Sequence, residues 1–333
     1  MITVALNGLG RIGKNILRIL MDPAVRKKVC VRAINIGPEN IDLVAYGIMY
    51  DSLMGTYHGH KVSVKGNVLT LDGQKITLYA QTDLSQLSWK GIDWVIDASG
   101  KFTKKIDAQK HISRGAGGVI ITAPSPDADQ IIIMGVNDQD YRKKKNQVVS
   151  LGSCTTNAVT PLLALLDDLV GIEQAAMTTV HAYTNNQALL DVEKGDARRS
   201  RAAALNIIPT TTGAMDVVEK VLPHLEGRLT GCSLRVPVAK VSLVDLGCVV
   251  KKSLTVKKFH VAAEKAMAGK MKGIMGMTEL PLVSSDFFGD SHSVVIDASM
   301  TSVQDNLIKV FGWYDNEWGY SCRIRDFLMR CVA

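Results

Sequence analysis

Positions 2–6 carry no charge and are apolar but for Thr3, and the run closes on Asn7 and a glycine cluster, Gly8-Leu-Gly-Arg-Ile-Gly13. A short apolar run bounded by turn residues predicts a buried strand over residues 2–7. From Lys14 to Met21 the spacing becomes helical, and a second strand is predicted over residues 29–36. Pro38 then sits where a first helical residue would, which predicts a helix from there through residue 48. Strand patterns recur at 61–64, 68–71, 75–79, 93–97, 118–122, 130–136 and 147–150, with a helical stretch over 103–115. Strands alternating with helices argue for a parallel sheet wound on both sides, an α/β arrangement.

The texture changes after about residue 150. A helix over 154–170 leads into long strand patterns at 172–182, 229–238, 241–251 and 292–299, with a helix near 256–268. Long strands with few helices between them suggest an α+β domain on a mixed, largely antiparallel sheet. Residues 185–208 form a long polar connection without periodicity, and loops of that length in compact domains are usually functional.

Composition narrows the class. The chain has 333 residues, 47% hydrophobic and 21% charged, ordinary values for a globular protein of two domains. Its apolar runs are too short to span a bilayer as helices. The N-terminus lacks the basic and small-residue features of a secretory signal, so the expected setting is cytoplasmic. Six scattered cysteines form no CxxC pair and no zinc-spaced set with histidine, so no metal is expected. A net charge of +7 favours anionic partners. Aromatics are only 5% and do not interleave with the basic clusters, which argues against nucleic acid as the main partner.

Gly8, Gly10 and Gly13 fall between a predicted strand and helix, the context in which GxGxxG has a physical meaning. Gly8 permits the tight turn, Gly10 lets a pyrophosphate approach the backbone, and Gly13 lets helix and strand pack, the Rossmann-type pattern. An NAD-preferring site usually carries an acidic residue at the end of its second strand, but here Asn35-Ile36-Gly37 stands there. Ile36 cannot accept hydrogen bonds from a ribose, nor does it repel a 2′-phosphate. Glu39 is close, and also reads as a first-turn carboxylate of the helix at Pro38. The choice between NAD and NADP stays open.

Cys154 follows the strand at 147–150 and begins a helix, where the helix dipole is expected to lower a thiol's pKa. A thiolate can attack an aldehyde carbon, and the adduct can then pass hydride to nicotinamide. Read alone, such a cysteine can equally be structural. His181 ends the strand pattern 172–182 at the mouth of the long loop, where it could serve as the base or simply as a satisfied histidine.

Several blocks together resemble one family, phosphorylating glyceraldehyde-3-phosphate dehydrogenase. They are Asn7-Gly-Leu-Gly-Arg-Ile-Gly, Ser153-Cys-Thr-Thr-Asn, Thr179-Val-His-Ala-Tyr-Thr-Asn, Ile208-Pro-Thr-Thr-Thr-Gly-Ala, Leu234-Arg-Val-Pro and Trp313-Tyr-Asp-Asn-Glu-Trp-Gly-Tyr. They run in order along essentially the whole chain. The resemblance implies oxidation of glyceraldehyde 3-phosphate with inorganic phosphate, in glycolysis or gluconeogenesis, by a homotetramer. It implies Cys154 as nucleophile and His181 as base. Thr184 and Arg235 would hold the substrate phosphate. Ser153, Thr155, Thr212 and Gly213, with Arg198 nearby, would hold inorganic phosphate. Gly8, Gly10, Arg11, Ile12, Gly13, Ile36, Ser99, Thr122, Asn316 and Tyr320 are expected at the cofactor, Asn316 orienting the nicotinamide carboxamide. The implied domains are a dinucleotide-binding domain over 1–153, completed by a C-terminal helix at 316–333, and a catalytic domain over 154–315.

Three departures stand out: Ile36, Asn186 where the family usually has Asp, and the loop Asp191-Val-Glu-Lys-Gly-Asp196. Glu193 and Lys194 there carry opposed charges. The nearest rival reading is erythrose-4-phosphate dehydrogenase, which uses the same cysteine chemistry. That group departs from the Tyr-Thr-Asn and Pro-Thr-Thr-Thr-Gly blocks, intact here.

Overall fold

A computed structural model describes residues 1–332 and divides them into two compact units. The first comprises residues 1–132, 140–152 and the C-terminal segment from 321; the second comprises 133–139 and 153–320.

The first unit is built on a nine-stranded sheet. In chain order its strands are β1 (Ile2–Asn7), β2 (Val29–Asn35), β3 (Val62–Lys65), β4 (Val68–Leu71), β5 (Gln74–Tyr79), β6 (Trp94–Asp97), β7 (Gly118–Ile121), β8 (Gln130–Ile131) and β9 (Gln147–Ser150). The spatial order is β3-β4-β5-β2-β1-β6-β7-β9-β8. Pairings from β5 through β8 are parallel, and only the β3–β4–β5 edge is antiparallel. Chain order reverses at the β1/β6 boundary, and ligands of such sheets bind beyond the carboxyl ends of the strands at that reversal. Helices α1 (Arg11–Leu20), α2 (Val44–Met49) and α3 (Lys105–Ser113) belong to this unit. Parallel strands covered on both faces need apolar side chains throughout, and β6, β7 and β9 are buried at every position.

The second unit holds a seven-stranded sheet. Its strands are β10 (Ile172–Ala182), β11 (Ile208–Thr210), β12 (Leu229–Val236), β13 (Ser242–Val250), β14 (Met275–Thr278), β15 (Val294–Gln304) and β16 (Leu307–Tyr314), in the order β11-β12-β10-β13-β16-β15-β14. Two pairings are parallel, β10 with β12 and β14 with β15, and the rest are antiparallel. Burial alternates strictly along β13, so this sheet is covered on one face. Helices α4 (Cys154–Val170), α5 (Ala214–Val221) and α6 (Val256–Ala268) belong to this unit, and α7 (Trp318–Val332) begins in it. Helix α4 starts at Ser153, whose side chain accepts from the Thr156 N–H, and stops at Gly171 with a φ of 68°.

The structure departs from the sequence pattern in a few places. Pro38 does not open a helix. Gly37 turns the chain at a φ of 74°, and Asn40 accepts from the Asp42 N–H to start a 3₁₀ turn, so α2 begins only at Val44. Glu39 is therefore not a helix first-turn carboxylate. Strand β8 is two residues long rather than seven. The pattern also leaves β11, β14, β16 and α5 unassigned. Among the described residues no helix is long and apolar enough to cross a membrane.

Candidate active site

Cys154 is the first residue of α4, so the Ser153 cap and the apolar run behind it set where the sulfur stands. Parallel pairing of β10 with β12 puts His181 directly beside Arg235. The three side chains meet: Cys154 Sγ lies 3.4 Å from His181 Nε2, and Arg235 Nη1 lies 2.8 Å from His181 Nδ1. The carbonyl of Ala182 is 2.7 Å from the same Nδ1 and accepts from Arg235 Nη1 at 3.2 Å. Arg235 can only donate. With Nδ1 accepting from Arg235 the ring proton sits on Nε2; with Nδ1 protonated and donating to Ala182 O, Arg235 keeps only that carbonyl and Nε2 becomes the acceptor facing the thiol. His181 is 4% exposed. Burial first, and the neighbouring guanidinium second, push its pKa down to about 3, so the ring is neutral at pH 7.

The thiol does not follow the expectation of a lowered pKa. Burial pushes Cys154 up, and outweighs the pull of Arg235 and of hydrogen bonds from Thr155. Desolvating a thiolate costs more here than the helix start and one cation return.

Tyr314, at the end of β16, is buried and its hydroxyl bridges Thr155 Oγ1 at 3.0 Å and Thr179 Oγ1 at 2.7 Å. It thereby ties the first turn of α4 to β10, just beneath the Cys154–His181 pair. Tyr314 falls in the Trp313-Tyr-Asp-Asn block of the sequence reading, which gave it no role because its strand is unassigned there.

The expected phosphate donors divide. Thr212 Oγ1 accepts from Ala214 N and Gly213 precedes the first residue of α5, so both stand at that helix start. Ser153 Oγ is engaged by Thr156, and Thr155 Oγ1 by Tyr314. Thr184 N donates to Gln187 Oε1, while the buried Nε2 of Gln187 has no hydrogen-bond partner. Gln187 is thus a second donor beside Thr184 that the sequence reading passed over; its position two residues after the Tyr-Thr-Asn block was the available signal. Arg198 is not brought to the cluster. Its side chain is exposed, its N–H bonds Asp196, and the arginine that acts electrostatically on Arg235 is Arg199. The turn at Asp196, which accepts from both N–H groups, leaves Arg198 exposed and Arg199 half-buried, which residue order alone does not reveal.

Asn316 is buried, and its Oδ1 accepts from Ser242 Oγ at 3.3 Å, while Ser242 Oγ accepts from Ala182 N. Tyr320 is also buried, and both its burial and the charge of Cys154 raise its pKa.

In the first unit, β1 ends at a cleft of about 270 Å³ lined by Gly8, Gly10, Ile36, Gly37, Pro38, Glu39, Ser99, Lys101 and Phe102, among others. Gly8 adopts a φ of 103°, and a Cβ there would meet the Ser99 backbone N at 2.7 Å. A Cβ at Gly13 would lie 2.1 Å from Gly8 O, whereas one at Gly10 would meet nothing within 4 Å. Gly8 and Gly13 are thus needed by the protein's own packing, and Gly10 leaves open space at the start of α1. That helix has no side-chain cap and no acidic residue in its first turn, so its N–H groups suit a pyrophosphate. The Arg11 guanidinium is paired with Asp51, which leaves the backbone as the contribution of Arg11 and Ile12.

Behind the cleft a buried chain of hydrogen bonds holds the strand ends. Trp89 Nε1 donates to His111 Nδ1 at 2.9 Å, so the His111 proton is on Nε2, 3.0 Å from Asp97 Oδ2. Asp97 also accepts from Asn7 Nδ2 and from the backbone and hydroxyl of Ser99, and Thr122 donates to the Asp97 carbonyl. Ser99 and Thr122 are therefore held just beyond the carboxyl ends of β6 and β7. Asn35 Nδ2 extends the chain to Asn7 and to Gln81 O. Ile36 is 5% exposed and lines the cleft with no polar group to offer. Among the described residues no group of three or more His, Cys, Asp or Glu gathers as a metal would require.

Comparison with known proteins completes the description. Residues 2–105 match the family model described as glyceraldehyde 3-phosphate dehydrogenase, NAD binding domain, and residues 153–316 match its C-terminal domain. The chain is 43% identical to glyceraldehyde-3-phosphate dehydrogenase 1 of Bacillus subtilis over 98% of this chain and 96% of the relative. It is 43% identical to the Geobacillus stearothermophilus glyceraldehyde-3-phosphate dehydrogenase, with the same shares covered. Identity to glyceraldehyde-3-phosphate dehydrogenase 1 of Kluyveromyces lactis is 44%, over 98% of this chain and 99% of the relative.

Proposed function

This chain belongs to the glyceraldehyde-3-phosphate dehydrogenase family, and from that premise we propose that it oxidises glyceraldehyde 3-phosphate, with inorganic phosphate, to 1,3-bisphosphoglycerate through a thioester on Cys154. The observation that carries the proposal is the 3.4 Å approach of Cys154 Sγ to His181 Nε2 at the first turn of α4.

His181 Nε2 takes the thiol proton as Sγ bonds to the aldehyde carbon, and the carbonyl electron pair moves to oxygen. The Cys154 N–H at the helix start and the imidazolium N–H are the donors suited to that oxygen. The bound nicotinamide supplies a hydride acceptor. The imidazolium passes its proton to the former carbonyl oxygen, giving a hemithioacetal hydroxyl and a neutral His181; His181 then takes the hydroxyl proton back as the C–H electron pair departs as hydride, which leaves a thioester. A phosphate oxygen then attacks the thioester carbon, and the C–S bond breaks to give an acyl phosphate and a thiolate, which the His181 imidazolium reprotonates. Arg235 and Thr184 offer donors to the substrate's own phosphate, and Thr212 and Gly213 at the start of α5 suit the attacking one. Arg199 takes the part assigned to Arg198 by resemblance.

The cradle of Gly8, Gly10 and Gly13 fits a dinucleotide, with Ser99 and Thr122 at the strand ends; Asn316 and Tyr320 would serve the nicotinamide end. With Ile36 apolar and Glu39 and Lys101 of opposite charge lining the same cleft, we expect both NAD and NADP to be accepted. Exposed Leu189, Leu190, Leu205 and Ile207 on the 185–208 segment support a homo-oligomer, read as a tetramer. The proposed setting is the cytoplasm.

The test is Cys154→Ser. Turnover should be abolished while cofactor binding survives; substantial remaining turnover refutes the thioester route. Assay of erythrose 4-phosphate beside glyceraldehyde 3-phosphate, with and without phosphate, separates the rival. Phosphate-independent turnover preferring the tetrose would overturn the assignment.

A further inference from the structure

The turn from β12 to β13 places a buried cation, a strained residue and an active-site contact at three consecutive positions. Lys240 is fully buried, and its Nζ lies 2.9 Å from Asp315 Oδ2, which is equally enclosed. Val241 is buried with a φ of 70°, a conformation that a β-branched residue rarely adopts. Such backbone persists only where its surroundings over-determine it. Ser242 follows, bonded to Asn316 Oδ1 on one side and to Ala182 N on the other.

Asp315 is the hub on the opposing segment. Its Oδ1 accepts from the N–H groups of Glu317 and Trp318, which fixes the entry to α7, and its Oδ2 accepts from Gly289 N at 2.8 Å besides facing Lys240. A buried carboxylate so placed needs a balancing charge, and Lys240 supplies it. Asn316 is the next residue. It is held from one side by the backbone that Asp315 anchors and from the other by Ser242, two residues beyond Lys240.

We propose that Lys240 is a positioning residue: its ion pair with Asp315 clamps the 240–242 turn to the start of α7 and so fixes the Asn316 amide that orients the nicotinamide carboxamide. This rests on the reading of Asn316 given above. Without the ammonium, the strained Val241 peptide can relax, and Ser242 and Asn316 shift together.

The test compares Lys240→Met, the double variant Lys240→Met/Asp315→Asn, and Asn316→Ala. Replacing both partners of a buried pair removes the unbalanced charge, so the double variant keeps the test open should the single one fail to fold. Calorimetric dissociation constants are measured for NAD and for ADP-ribose, which lacks the nicotinamide ring, beside the melting temperature. The expected result is a fivefold or greater weakening of NAD with ADP-ribose unchanged, in Lys240→Met, in the double variant and in Asn316→Ala. Unchanged NAD affinity in the folded lysine variants, with Asn316→Ala impaired, overturns the role of Lys240 alone. Equal weakening of both ligands overturns it in favour of general support of the fold. Wild-type binding by Asn316→Ala removes the reading of Asn316, and this proposal with it.

Discussion

Two alanine substitutions in one glycine loop should separate folding from binding. At Gly13 the added Cβ would sit 2.1 Å from Gly8 O, so backbone must give by about 0.9 Å to reach even the 3.0 Å below which such contacts are essentially never found. Neither partner is a flexible side-chain tip, because both belong to the junction of β1 with α1. Overpacking of this kind costs about 1–3 kcal/mol, and Gly13→Ala should lower the melting temperature by several degrees. At Gly10 the backbone φ is −72° and the Cβ meets nothing within 4 Å. Alanine is a poorer N-cap than glycine, by somewhat under about 1 kcal/mol, but it also restricts the unfolded chain by about 0.4–1 kcal/mol. The two effects nearly cancel, so Gly10→Ala should melt within a degree or two of the parent. The new methyl would stand where a pyrophosphate approaches the start of α1, and loss of one or two charge-assisted hydrogen bonds at about 1.5–3 kcal/mol each predicts at least a tenfold weaker cofactor affinity. Differential scanning calorimetry and cofactor titration read the two quantities independently. A Gly10→Ala protein that binds NAD as tightly as the parent would refute the cradle, and a Gly13→Ala protein of undiminished stability would refute the packing argument.

Other expectations follow from single features of the site. Ile36→Asp should raise the NAD-to-NADP ratio of kcat/KM at least tenfold, since a carboxylate accepts from ribose hydroxyls and repels a 2′-phosphate; an unchanged ratio in side-by-side kinetics would place selection elsewhere. Folding holds His181 neutral by pushing its pKa from 6.5 to about 3. The unfolded chain therefore binds the extra proton between those values, and the stability involved, whole above pH 6.5, falls by about 1.4 kcal/mol per unit as pH drops towards 3. Melting of His181→Asn should decline less steeply than that of the parent from pH 6.5 to 4, and parallel curves would contradict the assignment. Tyr314→Phe removes the hydroxyl shared by Thr155 and Thr179, so chemical denaturation should show a loss of about 1–3 kcal/mol; a neutral result would mean that water replaces the bridge.

Local chemistry made much of this protein legible in one dimension. The glycine triplet has meaning because a helix start, a tight turn and close packing each demand a residue without Cβ, and these demands lie within six positions. Helix α4 was readable from Ser153 to Val170 because a capping hydroxyl, an apolar run and a terminal Gly171 are all local signals. Cys154, His181 and Arg235 could be named from their blocks. Their meeting could not, because it depends on the parallel register that sets residue 181 beside 235, a pairing between segments some fifty positions apart. The same limit hid Tyr314, whose value lies in the two threonines it reaches, and Gln187, whose unpartnered donor appears only once Thr184 has taken its oxygen. It also left Arg199 unnamed beside Arg198, since the turn at Asp196 decides which of two neighbours is exposed and which half-buried. The pKa of Cys154 failed for a related reason: a helix start is visible in sequence, whereas desolvation is a sum over everything packed around the sulfur. The balanced burial of Lys240 with Asp315 is the extreme case, since a lysine reads as surface until the tertiary structure encloses it with its counter-charge.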